Sequence, residues 1–172
     1  MPQPGKSAVV IPVPAADPLL DAVRERHPGI VRDVPAHLSV LYPFLTADEL
    51  DDHTVGTLES IFAERAPAEV GFPGCARQPG FVYLPPEPPT AVRELSTTVR
   101  RHWPGLLPYG GAFGDPPPHL TVAMGIDEPV AGEIERQVGP YLPVRTRLEE
   151  AWLVVYTDRW TVRARFPFGG GP

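Results

Sequence analysis

A chain of 172 residues, 42% hydrophobic and with a formal net charge of −6, is long enough to bury a real core as one domain, residues 1–172. The negative balance argues against a broad grip on long duplex nucleic acid, which needs a basic face, but leaves room for a small phosphate ester in a local pocket. Cys75 is the single cysteine, which excludes an intrachain disulfide and any cysteine-based zinc site.

Segment 7–13, short and apolar, reads as a first strand and not as an export or membrane signal. With a lone cysteine, this points to the cytoplasm and to no membrane partner. Asp17 is a natural N-cap, with Pro18 at the first helical position, for a helix over 18–27. His27 closes that helix ahead of Pro28-Gly29. A second strand carries His37-Leu38-Ser39-Val40. Thr46-Ala47-Asp48-Glu49 is a capping box, opening a helix with Leu58, Ile61 and Phe62 on its core face. Segments 69–77 and 81–84 read as a hairpin around Gln78-Pro79-Gly80.

A helix over 90–103 follows, with Val92, Leu95 and Val99 as an apolar stripe. The Gly/Pro-rich loop 108–118 leads into a strand carrying His119-Leu120-Thr121-Val122. Asp127 and Pro129 open the last helix, with Val130, Ile134 and Val138 following. Segments 148–156 and 160–168 read as a hairpin around Thr157-Asp158-Arg159. Strand, helix, His strand and helix thus occur twice. The expectation is an α+β protein of two pseudo-symmetric lobes.

The two His strands share more than a histidine. Each runs His-Leu-hydroxyl-Val, and an Asp (Asp33, Asp115) lies four residues before each His. On a strand, residues i and i+2 point to the same face, so each run presents one imidazole beside one hydroxyl. Brought together, the two runs would offer two groups that titrate near neutrality and two hydroxyl donors, a site for acid–base chemistry on a phosphate ester. One neutral His would take a proton, the other, protonated, would give one, and Ser39 and Thr121 would stabilise phosphate oxygens. This apparatus requires no metal and no cofactor.

The chain resembles the 2H phosphoesterase superfamily, in its 2'-5' RNA ligase / cyclic phosphodiesterase branch. The likeness rests on both motifs and on their surroundings: HLSVLYPF from His37, PYGGAFGDPPPHLTVAM from Pro108, and the closing AWLVVYTDRWTVRARFPF. Ser39 stands where Thr is commoner, and it keeps the hydroxyl. The resemblance implies two antiparallel-sheet lobes with flanking helices around a central cleft, with one motif from each. It also implies His37, His119, Ser39 and Thr121 as catalytic residues. The expected substrate is a nucleotide or RNA end with a 2',3'-cyclic phosphate or a 2'-5' linkage, and a monomer is expected. RNA ligation, the reverse reaction, and non-catalytic nucleotide or RNA binding stay open at this point.

Tyr42 and Tyr156 are the leading candidates to stack on a base, ahead of Tyr83 and Tyr109. Arg77 and Arg159 read as solvated turn residues, and His53 and His102 as helix-surface residues. Cys75 reads as a small apolar side chain.

Overall fold

The computed structural model describes residues 4–30, 34–112, 114 and 116–169. Asp33 and Asp115 lie outside the described residues. Strand β1 (Ser7–Pro12) is buried along its whole length. A 3-10 turn at Pro14–Ala16 runs directly into helix α1 (Asp17–Arg26), and β2 (His37–Leu41) returns antiparallel to β1.

That turn changes the role of Asp17. The Asp17 N–H already bonds Pro14 O, and Ala16 stands at the N-cap, so the expected capping by Asp17 does not occur. Its carboxylate instead accepts the backbone N–H of Ala36 at 2.8 Å, stapling the residue just before His37 to the start of α1. The box at Thr46 does close, but over a 3-10 turn at Ala47–Glu49. Helix α2 (Asp52–Ala63) starts on a cap of its own, Asp51, whose carboxylate accepts the Thr54 N–H at 2.8 Å.

The second lobe comprises β3 (Ala68–Phe72), β4 (Ala76–Gln78), β5 (Phe81–Leu84), α3 (Thr90–His102), β6 (Leu120–Met124), α4 (Glu128–Val138) and β7 (Val144–Leu148). The expected strand over 69–77 is two strands. Pro73, which has no N–H to give a ladder, and Gly74 break it. Upstream of the break β3 pairs with β7, and only β4 pairs with β5, across a turn in which Gly80 takes a φ of 74°. A bridge between Gly71 and Glu87 joins the two sets.

The chain then crosses back. Strands β8 (Glu150–Tyr156) and β9 (Trp160–Pro167) form the expected C-terminal hairpin, although Leu148 ends β7 and does not belong to it. Among the described residues the strands form a four-stranded sheet β2-β1-β8-β9, a three-stranded sheet β4-β5-β6 and the pair β3-β7, all antiparallel. The repeat is plain in this order: β1-α1-β2 corresponds to β5-α3-β6, with α2 and α4 following.

One continuous core links both lobes through Ile11, Leu38, Leu58, Phe72, Leu84, Leu120 and Ile134. Phe62 of α2 stacks on Phe166 and Phe168, each ring centroid 5.7 Å away, which fixes α2 to β9. A second, smaller cluster of Ala8, Val10 and Val154 lies on the other face of the four-stranded sheet, packed by Tyr42, Trp152 and Trp160.

Candidate active site

Burial follows the same alternation in both motifs. Leu38 and Val40 are buried while His37 and Ser39 are half-buried; Leu120 and Val122 are buried while His119 and Thr121 are half-buried. The apolar members anchor each strand in the core, and strand periodicity sends the imidazole and hydroxyl the other way. Pairing repeats the symmetry: Ser39 lies opposite Val10 of β1, and Thr121 opposite Tyr83 of β5. All four side chains line one cleft of about 690 Å³, a size suited to a small ligand.

The two imidazoles are held alike. His37 Nδ1 lies 2.8 Å from Pro35 O, and His119 Nδ1 lies 3.0 Å from Pro117 O. A carbonyl can only accept, so Nδ1 carries a hydrogen in both rings and proton exchange with a substrate falls to Nε2. The carbonyl two residues before each histidine is thus a second repeated feature of the motif. Further support comes from behind β2, where the Ser96 hydroxyl of α3 donates to Val40 O at 2.8 Å.

Aromatic rings surround His119. Phe81 and Tyr83, stacked on each other at 4.8 Å, meet its ring edge-on at 5.4 and 6.0 Å. Tyr109 lies nearly parallel to it at 6.3 Å, with its hydroxyl 3.3 Å from Nε2. With Nδ1 protonated, Nε2 of the neutral ring accepts this bond from the tyrosine O–H. Tyr109 is the sole non-glycine residue with positive φ (53°) among the described residues, and its N–H donates to Tyr42 O at 2.7 Å. A left-handed conformation at a tyrosine is strained, and here it turns the phenol onto the histidine.

Tyr42 lines the cleft, 6.0 Å from Tyr109 and 6.2 Å from Trp160. Tyr156 does not line it. That ring sits behind Trp160 at 5.4 Å, and Trp160 holds the cleft position instead. Phe81 and Trp160 are lining residues that sequence reasoning missed. The signal for Phe81 was its place two before Tyr83 on one strand face, and for Trp160 its place across the hairpin from Tyr156.

The remaining candidates stand apart. Arg77 pairs with Glu128 at 3.4 Å and Glu135 at 3.6 Å on α4. Arg159 is exposed at the β8–β9 turn, and His53 and His102 are exposed on their helices. His27 caps α1 through its N–H to Val23 O at 2.9 Å. Cys75 packs half-buried against the core; burial and then nearby Glu135 push its thiol up to about 11, so it is a poor nucleophile. Among the described residues no three His, Cys, Asp or Glu side chains gather where they could hold a metal ion.

The architecture has solved counterparts. TT0787 of Thermus thermophilus superimposes with a TM-score of 0.65 at 17% identity, covering 97% of this chain and 100% of that one. E. coli LigT complexed with 3'-AMP gives 0.62 at 17% identity, covering 96% and 99%. Kluyveromyces marxianus Usb1 gives 0.51 at 14% identity, covering 95% and 98%. At these identities the likeness shows the fold. A comparison with curated protein sequences finds no match. The sequence model of the 2'-5' RNA ligase superfamily, however, matches residues 11–160, both motifs included. With that match over most of its length, on the fold those structures share, the chain belongs to the 2'-5' RNA ligase superfamily of 2H phosphoesterases.

Proposed function

We propose that the protein is a metal-independent phosphodiesterase that opens 2',3'-cyclic phosphates, or cleaves 2'-5' linkages, at nucleotide or RNA ends. It does so as a cytoplasmic monomer. The observation that carries this reading is the matched pair of imidazoles, each tied through Nδ1 to a backbone carbonyl, lining one cleft with the two motif hydroxyls.

In the proposed reaction one neutral imidazole takes a proton from water as the water oxygen forms its bond to phosphorus. The other, protonated, gives its proton to the departing ribose oxygen as that P–O bond breaks, leaving a nucleoside monophosphate. Ser39 and Thr121 donate hydrogen bonds to the non-bridging oxygens, where charge builds up. The apolar and aromatic walls provided by Val10, Phe81, Tyr83, Tyr42 and Trp160 offer faces on which a base can stack. Within the same fold, E. coli LigT has been solved with 3'-AMP, ATP, NADP+ and phosphate, ligands that carry the phosphate this reading puts in the cleft.

Incubation with adenosine 2',3'-cyclic phosphate in EDTA, followed by phosphorus NMR, tests the proposal. Ring opening to a monophosphate is the expected result. Binding without turnover would overturn it in favour of a non-catalytic nucleotide-binding role.

A further inference from the structure

Tyr109 ties the two motifs to each other. Its backbone N–H donates to Tyr42 O at 2.7 Å, and Tyr42 directly follows β2, the strand of His37 and Ser39. Its phenol reaches the other motif, with the hydroxyl 3.3 Å from Nε2 of His119. Between these anchors the backbone holds φ 53° and ψ 33°, in a turn where the Gly110 N–H donates to Leu107 O at 3.0 Å. Gly110 and Gly111 follow, both with positive φ. Glycine takes such a conformation at no steric cost and tyrosine does not, so the turn carries strain for a side chain it does not itself need. That side chain lines the cleft with His37, Ser39, His119 and Thr121. The proton transfers and phosphate contacts proposed above give its hydroxyl no task.

We infer that Tyr109 is a further catalytic residue, whose hydroxyl donates a hydrogen bond to the same oxygen that exchanges a proton with His119 Nε2. This role rests on the phosphodiesterase reading of the cleft. In the empty site the phenol O–H donates to Nε2 of the neutral ring. Nε2 is also the atom of proton exchange, so a reacting oxygen has to come within hydrogen-bond distance of it. An oxygen about 2.8 Å from Nε2 can lie equally close to a phenol that is itself 3.3 Å from that nitrogen, and the O–H then swings from nitrogen to oxygen. The contact serves either direction of transfer. With His119 as base, the ring takes a proton from water; the phenol donates to one lone pair of that water and leaves the other for phosphorus. With His119 as acid, the ring protonates the departing ribose oxygen, and the phenol donates to it while the P–O bond breaks and charge builds up there. Tyr109 keeps its own proton and forms no covalent bond. Ser39 and Thr121 serve the non-bridging oxygens; Tyr109 serves a reacting one.

Tyr109→Phe removes the hydroxyl and keeps the ring and the turn. On adenosine 2',3'-cyclic phosphate its kcat should fall about 10–100-fold while KM changes by less than about threefold, because the contact strengthens only as the oxygen reacts. Tyr141→Phe takes a hydroxyl from an exposed ring outside the cleft lining and should keep the wild-type kcat. An unchanged kcat in Tyr109→Phe would overturn the role. So would a raised kcat, which would make the phenol a mask over Nε2, or a loss confined to KM, which would make it a ground-state contact. A second measurement needs no turnover. Adenosine and vanadate form a 2',3'-cyclic vanadate whose five-coordinate vanadium copies the transition state, whereas adenosine 3'-monophosphate copies the product. By calorimetry Tyr109→Phe should bind the cyclic vanadate about 10–100-fold more weakly and the monophosphate nearly as the wild type does. If the wild-type protein leaves the cyclic phosphate intact, the phosphodiesterase reading fails. Selective weakening of the vanadate would still uphold the contact between Tyr109 and the oxygen at Nε2; equal weakening of both ligands, or of neither, would end it.

Discussion

At the scale of single residues, the roles of the site separate by what each substitution removes. His37→Ala or His119→Ala deletes a proposed proton-transfer group and should lower kcat by roughly 10²–10⁴-fold. Ser39→Ala or Thr121→Ala deletes one donor to a charged oxygen and should cost less, up to ~10²–10³-fold. Steady-state kinetics on a cyclic nucleotide checks both; full activity in the double histidine variant would place the chemistry elsewhere. Two imidazoles working as opposite partners need one neutral and one protonated, so the rate should peak at intermediate pH and fall on both sides. In the proposed mechanism imidazoles and hydroxyls supply the proton transfers and the charge stabilisation, so EDTA should leave that profile unchanged. A plain rise with pH, or activity restored by added Mg²⁺ or Zn²⁺, would count against the pair. Cys75 gives an independent check on burial. With its thiol pushed up to about 11, iodoacetamide at pH 8 should label it about 100-fold more slowly than an unhindered cysteine in the unfolded chain. The motif residues were legible in the sequence because both signals, the His-to-hydroxyl spacing and the Leu/Val anchors, lie within four consecutive residues. Trp160 was not, because its place in the cleft depends on a hairpin partner and on the neighbouring sheet.

At the scale of elements, the contact between α1 and β2 is the one that couples stability to the site. Asp17 holds the N–H of Ala36, whose backbone carbonyl in turn accepts from Val13 N–H at 2.8 Å, and Ala36 is the residue before His37. Asp17→Ala leaves that buried N–H without its acceptor and should cost about 1–3 kcal/mol, read as a lower denaturation midpoint. It should also reduce kcat, since the entry of β2 loosens. Asp17→Asn keeps an acceptor and should recover most of both. A fall in stability with kcat untouched would show that the staple does not reach the site. An acid followed by proline reads as a helix cap in sequence; the preceding 3-10 turn, which supplies its own backbone bonds, is what frees the carboxylate. The capping box at Thr46 was legible for the same local reason that its helix was misplaced, since the box describes one turn and the turn here is not α. The strand expected over 69–77 failed because its two halves take partners from different parts of the chain, and alternation within a segment carries no record of partner choice.

At the scale of the whole molecule, the repeated order of strands and helices was readable in outline, and the bilobal fold follows from it. Less readable was the crossing of the chain between lobes. Every described strand of the second lobe comes from the contiguous stretch Ala68–Leu148, whereas β1 of the first lobe lies between β2 and the late-arriving β8. Val9 pairs with Leu153. On a ribosome adding 5–20 residues per second, the edge of β1 that β8 will cover waits roughly 7–30 s for its partner. Throughout that interval the second lobe can close on its own strands, while the first presents an open, apolar edge of the kind that recruits other chains. A chain ended after Leu148 is therefore expected to be an aggregating species and not a half-active one, measurable by sedimentation of the truncated product. Recovery of a soluble monomer with a folded first lobe would show that β2 alone suffices to protect β1. Birth order, in this topology, makes the last strands synthesised the chaperones of the first.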